Sequence, residues 1–477
     1  MDLPTILPRR AALLPLLYEH QRQAGYLDRD AVARIAREVR VPVAEAWEAA
    51  CSYPDFRFEP AGEARACGGV ACDLARGADG PLRPGCLFRC YEAPAAGHEL
   101  PFPEPMVRRS GPLLADDSRD WAGLEAVRRM GPARFLDELE RSGLRGRGGA
   151  YFPTARKWRA ARRHEGPRAL VLNAEEGEPG VFKDRALLCL RPRRVVEGLA
   201  IAMAVLEPAV TIAFINGEAD PAAGSFAAAL QESPIAGFVV VYRGGGGYVL
   251  GEESALLNAI EGRRAVPRAK PPLPVDAGLF GMPTVVNNVE TIAAVSVIAR
   301  HGAAAWRDYG TAEAPGSRIL SVSGRVGLPG VYEVAMGTPL GDVVAGAGGP
   351  PPERLALLCG GPSGGFLPGS LADVALAPGR YHETGAMLGA GGVVVLEAPG
   401  DIRRAAFSMA AFNAGESCGK CTPCREGTPL LLEGLASGQG RMELLLDAVQ
   451  FASLCGLGQM ATGPVRSARV FWPEVFA

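Results

Sequence analysis

Histidine is scarce in this chain. There are five in 477 residues (His20, His98, His164, His301 and His382), none close to another in sequence. That scarcity excludes zinc sites of mixed His/Cys type and leaves any metal to cysteine. An excess of either charge is lacking too. Lys plus Arg is 50 and Asp plus Glu is 52, for a net charge of −2, so the basic surface that a nucleic-acid partner requires is absent. No apolar run reaches the roughly 20 residues of a membrane-spanning helix. The longest, Leu199 to Ile215, is broken by Glu207 and Pro208. The opening MDLPTILPRR has no basic stretch followed by a long apolar core, so neither a signal peptide nor direct membrane insertion is expected and a cytoplasmic location is. G-x4-G-K-[ST] is missing, which disfavours a P-loop ATPase. What remains is 48% hydrophobic, the composition of a packed globular protein of several domains.

Cysteine is plentiful, at 11. In a reducing compartment these are not expected to pair as disulfides. Their spacing is uneven. Cys67, Cys72, Cys86 and Cys90 read C-x4-C…C-x3-C; Cys418, Cys421 and Cys424 read C-x2-C-x2-C, with 30 residues between Cys424 and Cys455. Cys51, Cys189 and Cys359 stand alone and read as ordinary core thiols. A quartet of thiolates without histidine suits structural zinc or an iron–sulfur cluster. The compact C-x2-C-x2-C run favours [4Fe–4S] for the C-terminal quartet, because one loop can then wrap one face of a cubane.

Helical periodicity marks residues 10–50, with Leu13, Leu14, Leu17 and Tyr18 on one stripe, Val32, Ile35, Ala36 and Val39 on another, and Asp28 and Asp30 where a cap belongs. Residues 60–104 are rich in Gly and Pro and loop-like, and PFPEP (101–105) reads as a linker. From about 120 to 310, apolar runs at Ala169–Asn173, Val210–Ile215 and Phe238–Tyr242 alternate with helical patterns such as Val195–Leu206. That alternation predicts an open α/β sheet with a parallel core. Short strands at Ile319–Val322, Leu355–Cys359 and Val393–Glu397 predict a small α+β insert, and Leu430–Leu435 and Leu444–Val449 a terminal helical bundle.

Two glycine loops punctuate the α/β region. The first runs Gly143 to Ala150 and includes Gly146, Arg147, Gly148 and Gly149, followed by Lys157; the second is Gly244 to Gly247, followed by Tyr248 and Gly251-Glu252-Glu253. Successive glycines let backbone N–H groups approach a phosphate or a planar ring. Neither loop has the G-x-G-x-x-G spacing, and an ordinary turn explains either one alone. The acidic segment Asn173-Ala174-Glu175-Glu176-Gly177-Glu178 repels phosphate but can accept hydrogen bonds from ribose, amide or flavin N–H groups. A solvated acidic turn is its simpler reading. Together the loops suit a nucleotide cofactor pair.

These residues resemble the flavin- and NADH-binding subunit (51 kDa type) of respiratory complex I and its relatives, the diaphorase subunits of NAD-linked hydrogenases and the beta subunit of NAD-dependent molybdenum formate dehydrogenase. The resemblance covers residues 120–477. It rests on SGLRGRGGAYFPTARKW (142–158), NAEEGEPGVFKDR (173–185), GGGGYVLGEESALLNAIEG (244–262), PRAKPPLP (267–274), GLFGMPTVVNNVET (278–291) and ESCGKCTPCREGT (416–428) with Cys455. The N-terminal part, through QRQAGYLDRDAVARIAREVRVP (21–42) and the first cysteine quartet, resembles a shortened thioredoxin-like [2Fe–2S] subunit, with only 13 residues between Cys72 and Cys86.

The resemblance implies an α/β fold in four parts: 1–104, a helical lead and truncated thioredoxin-like module; 105–314, a Rossmann-like FMN domain; 315–400, an inserted ubiquitin-like α+β domain; and 401–477, a helical bundle with [4Fe–4S]. It places Gly146, Arg147, Gly148, Gly149, Lys157, Asn173, Glu176, Tyr248, Gly251, Glu252, Asn287, Asn288 and Thr291 around FMN, and Phe152, Lys157, Glu178 and Glu253 against NAD(H), and it counts Glu175 among the cofactor-binding residues. It assigns Cys418, Cys421, Cys424 and Cys455 to the cubane, and Cys67, Cys72, Cys86 and Cys90 to a [2Fe–2S] cluster. No side chain is expected to act as acid or base.

Partners would be an iron–sulfur electron-transfer subunit and a catalytic subunit of a multisubunit oxidoreductase. PRAKPPLP, SLCGLGQM (453–460) and the fused N-terminal module point to formate dehydrogenase first, with complex I or a hydrogenase as the alternative. A non-catalytic iron–sulfur scaffold is the reading from a different class. Tyr151 and Ala155 replace glycines usual in the first loop, Glu175 an Asp, Leu250 a Cys and Leu273 an aromatic residue. Tyr151 is expected to add bulk beside the nicotinamide.

Overall fold

The computed structural model describes residues 7–60, 66–77, 86–97, 100–115, 120–377, 386–437 and 442–476. Ten strands among them form two sheets: β1 (Val107–Arg109), β2 (Ala169–Ala174), β3 (Val210–Asn216), β4 (Val239–Gly244), β5 (Thr284–Asn288), β6 (Ser317–Gly324), β7 (Gly330–Ala335), β8 (Leu355–Cys359), β9 (Gly365–Pro368) and β10 (Gly392–Glu397).

The first sheet has the order β4-β3-β2-β5 and is parallel throughout. Burial on both faces explains why its strands read as continuous apolar runs rather than alternating ones; every residue of β3 is buried. Successive side chains point to opposite faces. Leu170, Leu172, Ala213 and Ile215 join the core built by helices Pro192–Leu206 and Val289–Asp308, whereas Ala169, Val171, Ile212 and Phe214 face the other way. That second face is covered by helix Glu253–Ile260 and by the N-terminal helices Leu13–Ala24, Arg29–Glu38 and Val43–Cys51. The helical lead is thus a layer of the parallel sheet. Asp28 caps its second helix, the carboxylate accepting from Ala31 N–H at 2.7 Å.

The second sheet has the order β1-β7-β6-β10-β8-β9 and is mixed, with β10 parallel to β6 and antiparallel to β8. One face packs on helix Leu340–Gly346 through Leu320, Val322, Leu357 and Val393; the other, through Ile319, Leu358 and Val394, joins the main core. Its edge strand β1 comes from residues 107–109, outside the 315–400 range that the sequence assigns to the insert. Glu333 on β7 anchors the segment after β1: its buried carboxylate accepts from Gly111, Leu113 and Leu114 N–H.

The 60–104 segment is not all loop, since Val70–Arg76 is helical; its positions 61–65, 78–85 and 98–99 lie outside the described residues. The terminal bundle consists of Ile402–Gly415, Thr422–Ser437, Met442–Ala452 and Gly463–Phe471, with Leu431, Leu435, Leu446 and Val449 at its core. Arg404 reaches back to the buried Asp73 and so ties the bundle to the N-terminal cysteine segment. Among the described residues no helix is long and apolar enough to cross a membrane.

The two helices on the main-core face cross at Gly198, where any Cβ would land on the Ile292 carbonyl. Gly198→Ala is therefore expected to cost about 1–3 kcal/mol through overpacking, read as a lower denaturation midpoint with unchanged secondary structure.

Candidate functional site

In an open parallel sheet, ligands bind beyond the carboxyl ends of the strands, at the point where the strand order reverses. Here that point lies between β2 and β5, whose ends pair as Leu172 with Asn287 and Asn173 with Asn288. The acidic segment leaves β2, and Asn288 caps the helix after β5, accepting from Glu290 N–H at 3.0 Å. Asn287 accepts from the indole N–H of the buried Trp158 at 2.8 Å. Thr291 accepts Arg147 N–H at 2.9 Å, and a Cβ at Gly148 would press on Asn288 at 3.2 Å. Gly149, at φ +115°, holds a turn that favours glycine. The first glycine loop therefore rests on β5, close to the acidic loop.

The second glycine loop closes the same space. Asn173 donates to Gly251 O at 3.4 Å. Glu252 caps helix Glu253–Ile260 through Ser254 and Ala255 N–H. Lys157 reaches Glu253 and Val286 O, each at 3.1 Å, and Lys270 holds Glu252 at 2.8 Å and Glu253 at 3.3 Å. Burial alone would raise the Glu253 carboxyl, but the two lysines outweigh it and hold it below its ordinary value. Phe152 stands half exposed at the rim.

The acidic residues divide by partner. Glu176 accepts from Asp184 N–H (2.7 Å) and Arg185 N–H (3.1 Å), so it caps helix Lys183–Leu190; burial, then Asp184, push its carboxyl up to about 7. Glu178 turns to the second sheet and accepts from Ser363 and from Ala390 N–H. Glu175 accepts from Asn216 at 2.8 Å through one oxygen, while Oε2 is buried with no hydrogen-bond partner in the protein. Burial, then the neighbouring Asp55, push Glu175 up to about 8.

Two residues behave differently from expectation. The Arg147 guanidinium is buried at the junction with the second sheet, within 3.4 Å of Pro315 O, while its backbone N–H donates to Thr291. Tyr151 does not project its bulk toward the rim beside Phe152: at φ +53° its phenol bonds Arg318, which also lies over the ring at 5.0 Å from the centroid and donates to Gly389 O at 2.7 Å. A cationic partner supplied by β6 draws the phenol inward.

The C-terminal thiols Cys418, Cys421, Cys424 and Cys455 line one cavity together with Val249 of the second glycine loop and Pro267. Ser417 Oγ lies 3.3 Å from Cys424 Sγ, and Leu454 N–H points at Cys421 Sγ at 3.5 Å. Tyr248 N–H donates to Glu416 at 3.0 Å, and Lys420 donates to Pro267 O at 2.5 Å. At the N-terminal end, Cys67, Cys72, Cys86 and Cys90 are all buried, with Cys67 and Cys86 Sγ 4.0 Å apart. Gly69 and Leu87 N–H point at Cys67, Phe88 N–H at Cys86 and Ala95 N–H at Cys72, at 3.2–3.4 Å. Among the described residues no three His, Cys, Asp or Glu side chains are placed to hold a single metal ion.

Residues 139–297 match the Nuo51 FMN-binding domain and 404–477 the iron-sulfur binding region of NADH-ubiquinone oxidoreductase-F. Residues 4–80 match a thioredoxin-like [2Fe-2S] ferredoxin, and 319–367 the SLBB domain. The second F-subunit of NADH-quinone oxidoreductase in Rhizobium meliloti (strain 1021) is 38% identical over 363 residues, 71% of this chain and 86% of its own. The corresponding F-subunit of Aquifex aeolicus (strain VF5) is 37% identical over 395 residues, 78% and 91%. The chain belongs to the family of NADH-quinone oxidoreductase F-subunits. The fold agrees. A crystal structure of an NAD+-reducing [NiFe]-hydrogenase in the air-oxidized state superposes with a TM-score of 0.86 at 33% identity, covering 98% of this chain and 93% of that one.

As a member of that family the chain is an oxidoreductase subunit with an FMN-binding domain and two iron–sulfur regions. The residues present fit those groups. The orphaned Glu175 Oε2 lies in the flavin domain, and a Cβ at Gly251 would meet no protein atom within 4 Å. Each thiol quartet is a wholly cysteine donor set, and three of the four N-terminal thiols accept backbone N–H groups, as cluster sulfurs do. Sequence reasoning missed Asn216, Ser363 and Asp55, which carry no motif, and Glu416, which opens the quoted ESCGKCTPCREGT segment. Lys183 and Lys270 sat inside quoted segments, and their charge beside the acidic residues was the available signal.

Glu175 sits above its unfolded value, so the folded chain holds more protons between pH 4.5 and about 8. Stability should accordingly fall as pH rises through that window, by up to about 1.4 kcal/mol per pH unit. Glu175→Gln should flatten the profile of unfolding midpoint against pH; a slope equal to wild type would refute the assignment. Tyr151→Phe should weaken the link between the first loop and β6 by about 1–2 kcal/mol, measured by denaturant unfolding.

Proposed function

We propose that this chain passes electrons between NAD(H) and iron–sulfur clusters through FMN. The observation that carries this reading is the continuity of the two sites: residues 244–253 border the sheet's switch point at one end and, through Val249, the cysteine cavity at the other. When bound, FMN supplies hydride exchange with nicotinamide and release of electrons one at a time. The backbone at Gly146, Gly148, Gly149 and Gly251 would cradle it, with Asn173, Glu175, Asn287, Asn288 and Thr291 orienting it. Phe152, at the rim, would cover the nicotinamide. Lys157 and Glu253, paired at 3.1 Å, would fix the nucleotide. Cys418, Cys421, Cys424 and Cys455 would hold [4Fe–4S], with Lys420 and Arg425 adding positive charge beside them. Cys67, Cys72, Cys86 and Cys90 would hold [2Fe–2S]. The division into 1–104, 105–314, 315–400 and 401–477 is part of the same proposal.

For the partner enzyme we infer an NAD-dependent formate dehydrogenase of the cytoplasm, with this chain as its beta subunit beside a second iron–sulfur subunit and a catalytic subunit. PRAKPPLP, SLCGLGQM and the fused N-terminal module support it. A second reading, the diaphorase subunit of a hydrogenase, is favoured by the end-to-end match to the NAD+-reducing hydrogenase chain.

The complex purified from its host tests both levels. Expected are one FMN and about six irons per chain, flavin absorbance bleached by NADH, and molybdenum with formate-dependent NAD reduction. Nickel with hydrogen-dependent reduction would replace the first partner by the second. Clusters without flavin would leave only a scaffold. Cys455→Ser should abolish the cubane's paramagnetic signal while keeping flavin stoichiometric.

A further inference from the structure

The four glycines of residues 244–247 have no side chains to fix them, and an all-glycine loop is entropically expensive to order. Their support comes from the N-terminal lead. A Cβ at Gly245 would meet Tyr53 at 2.8 Å, one at Gly247 would meet Pro54 at 3.2 Å, and one at Gly246 would collide with the Asp55 carboxylate, which accepts Gly246 N–H. Tyr53-Pro54-Asp55 therefore lies flat along the loop. The tripeptide is itself held. Tyr53 Oη donates to Arg263 O at 2.9 Å. The Gln21 amide brackets Asp55, donating to its carbonyl at 2.8 Å and accepting Arg57 N–H at 2.6 Å. Beyond Gly246 stands Asn216, whose amide donates to Glu175.

We propose that Asp55 is a positioning residue of the flavin site, fixing the 244–247 loop through Gly246 and forming with Glu175 a carboxylate pair that shares one environment. The proposal rests on the flavin reading above. Four groups act on Glu175: Asp55 from the lead, Asn216 from β3, Arg185 from helix Lys183–Leu190 and Gly247 N–H from the loop. Asp55 opposes the charged form of Glu175, and the other three favour it. A carboxyl kept neutral by burial and a like charge can donate a hydrogen bond as well as accept one. The N-terminal lead is in this view part of the flavin site as well as the carrier of a cluster.

The test uses the full chain in its complex, with FMN removed and rebound. Asp55→Ala should weaken FMN binding about tenfold, the loss of one charge-assisted hydrogen bond. It should also speed amide exchange across residues 245–248 in the FMN-free protein at least fivefold, leaving the N-terminal cluster's signal unchanged. Asp55→Asn keeps an acceptor for Gly246 and removes the charge. It should bind FMN within about twofold of wild type at pH 7, while the inflection of FMN affinity against pH moves below its wild-type place by at least about half a unit. Alanine-variant affinity and exchange both within twofold of wild type would overturn the loop anchor. A superimposable pH profile for the asparagine variant would overturn the pair. A wild-type chain that takes up no FMN would sink the flavin reading first, with loop exchange still reporting whether Asp55 holds the loop.

Discussion

A single buried lysine, paired with two carboxylates, joins the parts of this molecule that must agree for the site to exist. Lys183 Nζ, wholly shielded from solvent, lies 2.7 Å from Glu290 Oε2 and 2.9 Å from Asp184 Oδ1. Glu290 Oε1 accepts Ile319 N–H of β6 at 3.0 Å, and Asn288 Oδ1 lies 3.3 Å from the same lysine. The helix after the acidic loop, the end of β5 and the first long strand of the second sheet therefore meet at one lysine. Burying these three charges gains little by itself, but removing the lysine leaves its carboxylates stranded, at about 3–5 kcal/mol. The acidic loop cannot shift relative to β5 without breaking this contact.

Around that junction the two sheets are stitched by contacts that also shape the ligand space. Glu178 leaves the acidic loop for Ser363 and Ala390, and Arg318 leaves β6 for Tyr151. Tyr151 fills the junction and not the rim beside Phe152. On the opposite side, Tyr248 and Val249 share their loop with the sheet's ligand edge and the thiol cavity. One short piece of backbone thus borders both the sheet's carboxyl edge and the thiol cavity.

Much of this was legible in the sequence because its signals are local. Val210–Ile215 reads as a strand since both of its faces are buried, and the spacing of C-x2-C-x2-C brings its three thiols to one cavity through chain geometry. The parallel α/β core and the terminal bundle followed from periodicity alone. The motif residues of the two glycine loops and the acidic segment converge at the switch point, though Arg147 and Glu178 turn their side chains toward the second sheet. What stayed hidden depends on tertiary placement. The lead helices show an ordinary amphipathic stripe, and nothing in Leu13, Leu17 or Ile35 says that the stripe faces a sheet whose first strand begins at Ala169. Nor does Asp55 announce that it meets Gly246, 191 positions away. β1 is three residues long, too short for any periodicity to declare it.

The placement of β1 bears on how the chain is made. Val107–Arg109 leaves the ribosome long before β7, its neighbour in the sheet, and Asp73 waits longer still for Arg404. During synthesis the nascent N-terminal segment therefore carries Cys67 and Cys72 without the contacts that later enclose them, so insertion of metal there can precede docking, whereas the C-terminal thiols emerge last, onto a scaffold whose strands have already been translated.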